Sequence, residues 1–176
     1  LAEFGIKVQE ERRRQDQRKK AEEQQRNSAK AKAQQELSAR GYPPSAYERE
    51  LGYAIKNNNT ELLSLLLTAG TNPNANNALH SAVNANHPEC VKLLLATDGI
   101  YVNRLNKYEC TPLYDAANKG HAECVKLLLT SPGIDVNKAD EYGRTPLEKA
   151  AENGHAECIK LLLAAPGIDV NRGYNV

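Results

Sequence analysis

The sequence predicts an all-α solenoid of stacked helix pairs joined by short hairpin fingers, standing behind a charged N-terminal helix. Three observations predict it. One pattern recurs at a fixed interval, the same from His87 to His121 as from His121 to His155. Each copy is apolar on one helical face only. Residues 1–40 share none of this and are dominated by charge.

The repeat comes first, because a fixed period of roughly 20–50 residues decides the architecture of a whole chain. His121-Ala-Glu-Cys-Val-Lys-Leu-Leu-Leu129 returns as His155-Ala-Glu-Cys-Ile-Lys-Leu-Leu-Leu163, and precedes itself as His87-Pro-Glu-Cys-Val-Lys-Leu-Leu-Leu95. Asn59-Thr-Glu-Leu-Leu-Ser-Leu-Leu-Leu67 is a weaker copy. Thr111-Pro-Leu113 and Thr145-Pro-Leu147 stand at one constant distance before their histidines. Gly99-Ile-Tyr-Val-Asn103, Gly133-Ile-Asp-Val-Asn137 and Gly167-Ile-Asp-Val-Asn171 follow the leucine runs.

Each block has a physical reading. Thr-Pro opens a helix, since Thr caps it and Pro tolerates its first position. Leu113, Ala116 and Ala117 then share one face, and Lys119-Gly120 breaks the helix. The second helix turns Cys124, Val125, Leu128 and Leu129 inward and Glu123 and Lys126 outward, until Pro132-Gly133 ends it. Neither helix can bury its apolar face alone, so neighbours must stack. These blocks, in this order, resemble the ankyrin repeat over about residues 45–175. The resemblance implies an ankyrin-repeat solenoid, with repeats at about 45–74, 75–107, 108–141 and 142–175 forming a domain over 45–176. The loop at 165–171 is one residue longer than the usual ankyrin version, as in bacterial-type arrays. Asn74 lies nearer to His87 than Asn137 lies to His155. Either the finger of repeat two is truncated or the first repeat is a divergent cap. Repeat four, with Ile159, Leu162 and Leu163 and no polar cap after it, is expected to be unstable or incomplete, with the natural chain continuing beyond Val176 or this end meeting a partner.

Residues 1–40 hold 11 Lys and Arg against 7 Asp and Glu, a net of +4, within a chain whose formal net charge is +1. The pairs Glu10/Arg14, Asp16/Lys20 and Glu22/Arg26 support a helix at i,i+4. A coiled coil needs apolar a and d positions, and only Ala21, Ala29, Ala33 and Leu37 are offered. A solvated helix, a partner for another helix and a contact with an anionic surface all remain open for this arm. Residues 1–8 form a small apolar patch at its tip. Gly41-Tyr-Pro-Pro44 is a linker of residues 41–44. No apolar run approaches the length of about 18 residues that a spanning helix needs, so no membrane span is predicted. The chain contains no Met, as expected of a fragment or a processed product, and removal of an export signal is compatible with its start.

Several residues invite chemistry. His87/Cys90, His121/Cys124 and His155/Cys158 have zinc-ligand identity, but the resemblance makes each His a turn residue and each Cys a core residue. No metal or other cofactor is expected. Cys110 is expected to be exposed on a finger, and its free thiol points to a reducing, cytoplasmic compartment. His80 matches a histidine that stabilises the ankyrin fold. Its counterparts are Tyr114 and Glu148. The residues after these, Asp115 and Lys149, are expected side by side on adjacent repeats, as an ion pair or a polar patch. Glu109 falls where Gly143 falls in the next repeat, at a turn predicted to need positive φ. No phosphate loop, catalytic carboxylate pair or nucleophile elbow is present, so no enzyme is expected.

The resemblance implies a protein-binding module that uses its finger tips and the exposed side of each first helix, the concave face. The candidate partner-binding residues are Asn84 in repeat two, Lys107, Tyr108, Cys110, Asn118 and Lys119 in repeat three, and Glu141, Tyr142, Arg144, Glu152 and Asn153 in repeat four. Tyr108, Tyr142 and Arg144 are favoured, since Tyr and Arg dominate interface hot spots. The partner is expected to be another protein, with no specific nucleic acid. The alternative is an architectural or tethering protein whose N-terminal helix self-associates or meets an anionic surface.

Overall fold

The computed structural model describes residues 2–172, with side chains from Lys7 onward. Residues 1–6, part of the apolar patch, and residues 173–176 lie outside the described side chains. Among the described residues every regular element is helical. Helix α1 spans Ala2–Ala39, and four pairs follow: α2 (Tyr47–Lys56) with α3 (Thr60–Thr68), α4 (Ala78–Asn84) with α5 (Pro88–Leu95), α6 (Pro112–Lys119) with α7 (Ala122–Leu129), and α8 (Pro146–Glu152) with α9 (Ala156–Leu163). Two single 3₁₀ turns, Pro44–Ala46 and Ala75–Asn77, lead into α2 and α4.

The first helices α2, α4, α6 and α8 pack in one row and the second helices α3, α5, α7 and α9 in another, each pair also packing internally. The sequence blocks explain the starts. Thr111 accepts a hydrogen bond from Tyr114 N, and Thr145 forms a full capping box with Glu148, each with Pro in the first turn. The core is the inward stripe. Leu113, Ala116 and Ala117 and then Cys124, Val125 and Leu128 are all fully buried. At the C-terminal end Leu162 is buried, while Leu163 is half-exposed and Ile159 partly covered.

An asparagine ladder fixes the register between repeats. Asn103 donates to Gly133 O at 2.7 Å and accepts from Asp135 N at 2.9 Å. Asn137 does the same one repeat later, to Gly167 O at 2.7 Å and from Asp169 N at 2.9 Å. Asn74 grips Gly99 O and Tyr101 N in the same way. The short finger of repeat two is taken up by the single turn Ala75–Asn77, over which Arg104 reaches to Asn74 O at 2.7 Å.

The arm departs from expectation at both ends of its reading. None of the pairs Glu10/Arg14, Asp16/Lys20 and Glu22/Arg26 closes to an ion pair. Arg26 instead meets Asp98 at 2.9 Å. Such exposed pairs are worth about 0–1 kcal/mol, too little to immobilise two long side chains. Residues 7–32 are solvent-exposed throughout, as a solvated helix would be, but Ala33 and Leu37 are buried against α3. The last turns of α1 therefore stand where the second helix of a preceding repeat would stand. The helix ends confirm the equivalence. Tyr42 N bonds to Leu37 O at 2.9 Å and Gly41 N to Ser38 O at 3.0 Å, as Thr71 N bonds to Leu66 O and Gly70 N to Leu67 O, both at 3.1 Å. Both are Schellman closures on a left-handed glycine.

Glu109 adopts φ +56° and Gly143 φ +80°, so both fingers turn through the left-handed region. A side chain there costs roughly 1 kcal/mol, whereas glycine enters freely. Glu109→Gly is expected to stabilise the fold by about 0.5–1 kcal/mol, after the greater unfolded-state entropy of glycine is set against the relief of strain. Gly143→Glu is expected to destabilise it, and urea melts of both variants check the pair of signs.

Candidate functional site

The fingers preceding α6 and α8 are built alike. Asn106 Oδ1 accepts from Tyr108 N at 2.8 Å and Cys110 N at 3.2 Å. Asp140 Oδ1 accepts from Tyr142 N at 3.0 Å and Arg144 N at 2.9 Å. Backbone bonds Asn106 N to Cys110 O and Asp140 N to Arg144 O close each turn at 3.0 Å. One Asx side chain thus organises a whole finger. Asn106 and Asp140 are missing from the sequence-based candidates, although they recur at the interval of the repeat and each stands two positions before its Tyr.

These braced turns hold Tyr108 and Tyr142 out in solvent, 59% and 63% exposed. The Lys107 ammonium lies 4.8 Å from the Tyr108 ring centre, and the Arg144 guanidinium 4.9 Å from that of Tyr142. Arg144 is itself pinned. Its Nε and Nη2 donate to Asp140 Oδ2 at 2.9 and 2.7 Å. The Tyr114 hydroxyl, buried beneath, donates to the same oxygen at 2.6 Å. Burial opposes ionisation of Asp140, but hydrogen bonds from Arg144, Tyr114 and two backbone N–H groups outweigh it and hold its carboxyl below the usual range. Burial, reinforced by the bond to Asp140, pushes the Tyr114 hydroxyl up.

A second polar node lies at the foot of the neighbouring finger. Asp115 Oδ2 faces His80 Nδ1 at 2.8 Å, Asn106 Nδ2 at 3.1 Å and Asn84 Nδ2 at 3.4 Å. His80 Nε2 faces Arg104 O at 2.8 Å. Asp115 is therefore turned inward to the preceding repeat and makes no ion pair with Lys149, which bonds to Glu152 at 2.6 Å. The two do line one groove. A neutral core position would have left His80 without its carboxylate, which is why the charge is drawn in.

Cys110 corrects the expectation of an exposed thiol. It is buried, 7% exposed, because the turn closes between residues 106 and 110 and leaves 110 at the base of the finger. Its Sγ donates to Tyr108 O at 3.3 Å. Burial, with Asp115 and Asp140 adding to it, pushes the thiol up to about 11. It is no thiolate nucleophile at neutral pH, and both ring nitrogens of His80 are already engaged.

The His-x-x-Cys units serve packing. Cys90 donates to Asn58 Oδ1 at 3.3 Å and Cys124 to Asn86 Oδ1 at 3.8 Å. His87 Nδ1 meets Ile55 O at 2.8 Å and His155 Nε2 meets Asn118 O at 3.1 Å. Among the described residues no three His, Cys, Asp or Glu side chains converge as metal ligands would.

A groove of about 700 Å³ runs between the two fingers and over α6 and α8. It gathers Asn84, Tyr108, Cys110, Asn118, Lys119, Glu141, Tyr142 and Arg144 of the sequence-based set, with Cys110 contributing from its floor. Lys107 lies over the ring of Tyr108. Glu152 pairs with Lys149, and Asn153 bonds to Asn118 O at 2.8 Å and Oδ1 at 3.0 Å, so both lie beside the groove on the first-helix row.

The family model described as Ankyrin repeats (3 copies) matches residues 51–140 and 103–173. The chain belongs to the ankyrin-repeat family. No curated protein matches it. Ankyrin repeats are in general protein–protein interaction modules and typically non-catalytic. Among the described residues, no helix is long and apolar enough to cross a membrane.

Proposed function

We propose that this ankyrin-repeat chain binds a protein partner on its finger and first-helix face, across repeats three and four. The observation that carries the reading is the pair of exposed tyrosines one repeat apart, each with a cation over its ring. Large aromatic surfaces held on braced turns lose little side-chain entropy on binding, which is the property of hot-spot residues. Tyr108, Tyr142 and Arg144 are the anchors, and Asn118, Lys119 and Glu141 supply polar contacts around them. The tethering alternative has less to draw on. Of the four apolar arm residues that could line a helix partner, Ala33 and Leu37 are already buried against α3.

The test compares capture by immobilised wild-type chain, the Tyr108→Ala/Tyr142→Ala variant and a Lys92→Ala/Lys126→Ala variant altered on the second-helix row. The expected result is a partner retained by the first and third and lost from the second. Equal retention by all three, or loss only with the lysine variant, would sink the assignment of this face.

A further inference from the structure

We infer that the groove between the two fingers takes a proline-rich segment in the polyproline II conformation. This rests on the face proposed above and names the chemistry of its partner. Three properties of the groove converge on such a ligand.

The first is spacing. Tyr108 and Tyr142 occupy the same position of consecutive repeats. Packed helices lie about 8–10 Å apart, so equivalent side chains of neighbouring repeats recur at about that interval. Polyproline II advances about 3.1 Å per residue with three residues per turn, so its equivalent ring faces recur about every 9 Å. Two tyrosines one repeat apart are thus in register with residues i and i+3 of one ligand.

The second is the form of the aromatic surface. Each ring has a cation over one face, at 4.8 Å for Lys107 on Tyr108 and 4.9 Å for Arg144 on Tyr142, which leaves the other face for a ligand. The cation fixes the ring against a turn that is itself tied by Asn106 or Asp140. A proline ring packs flat on such a surface, and both partners are already rigid, so little conformational entropy remains to be lost.

The third is hydrogen-bonding sense. A run of prolines has free carbonyls and no N–H, so it is a pure acceptor. The groove's buried carboxylates are already engaged, Asp115 by His80 and Asn106, Asp140 by Tyr114 and Arg144. What remains is largely donor. The Asn118 amide hydrogens have no acceptor among the described residues, and Lys119 is held only by Asn84 O at 3.4 Å. Glu141 is the exposed exception, and it favours a ligand with a basic residue beside the proline run.

The experiment is titration of the folded chain with a labelled peptide of roughly nine prolines, about three turns, ending in one lysine. A Gly-Ser peptide of equal length and charge and an oligothymidylate serve as comparison probes. Saturable binding of the proline peptide is expected, at least tenfold tighter than the Gly-Ser peptide. Tyr108→Ala and Tyr142→Ala are each expected to weaken it about thirtyfold, as loss of a hot-spot contact does. Tyr→Phe at the same positions should retain it, since the stacking face is kept. No preference for proline over Gly-Ser, loss in the Phe variants, or tighter binding of the oligothymidylate would each overturn the inference. If the partner-capture experiment still depends on Tyr108 and Tyr142 while the proline peptide fails, the face stands and only its proposed ligand class falls.

Discussion

Leu37→Ala is expected to destabilise the whole solenoid by about 2–5 kcal/mol, the range for removing a fully buried leucine from a core. Leu37 is 0% exposed and belongs, through α3, to the same apolar cluster as Leu62, Leu63 and Leu66. Without it a cavity would open between α1 and α3. Other contacts of the arm are weaker. Gln34 donates to Ala69 O at 3.0 Å, and Arg40 reaches Glu61 at 2.8 Å in an exposed pair. Residues 7–25 are exposed throughout, so deleting residues 1–25 should change stability by less than about 1 kcal/mol. Deleting residues 1–40 should instead match or exceed the loss from Leu37→Ala and speed amide exchange first in α2 and α3. Urea melts of the three variants, with exchange measured on the last, check this. A neutral 1–40 deletion would mean that the repeats need no cover at that end.

The same residues show where the sequence could be read and where it could not. The constant interval between copies and the Thr-Pro, Leu-Leu-Leu and Gly-x-x-x-Asn blocks placed the helix pairs, because local caps and one-sided apolar stripes act within a single repeat. The left-handed turn at Glu109 was legible from its alignment with Gly143 for the same reason. The half-repeat at the end of α1 was not. Only Ala33, Leu37 and Gly41 match Leu62, Leu66 and Gly70, at one shared offset shorter than the interval of the later repeats, and the charged run before them masks the match. At the site, the exposed tyrosines followed from the finger pattern. The burial of Cys110 did not, because it depends on which backbone pair closes the turn. The inward turn of Asp115 depends on His80 in the preceding repeat, and no spacing within one repeat could reveal it.

Asp140→Ala should cost about 2–4 kcal/mol and weaken partner binding, although Asp140 is itself buried, because several donors lose their acceptor at once. Its carboxylate serves two backbone N–H groups of the finger, both donors of Arg144 and the hydroxyl of Tyr114. A buried donor left without an acceptor costs about 1–3 kcal/mol, and Tyr114, 4% exposed, has no access to water as a substitute. Arg144, freed from the carboxylate, no longer holds the Tyr142 ring. The neighbouring repeat supplies the control. Asn106 ties the equivalent finger with an amide oxygen alone, so Asp140→Asn should keep the turn, but its amide nitrogen replaces Oδ2, the acceptor of Arg144 and Tyr114, at a cost of about 1–3 kcal/mol. The pH dependence isolates the contribution of the charge. The folded-state pKa of Asp140 is depressed, so its charge stabilises the fold above the ordinary carboxylate range and ceases to do so as pH falls through the folded value. Wild type should be more stable than Asp140→Asn at pH 7, with the gap narrowing below about pH 4, while Asp140→Ala should remain the least stable at every pH. A gap between wild type and Asp140→Asn that is constant from pH 7 to pH 3 would show that the charge contributes nothing. Retention of binding by a folded Asp140→Ala chain would show that Tyr142 and Arg144 need no bracing to engage the partner.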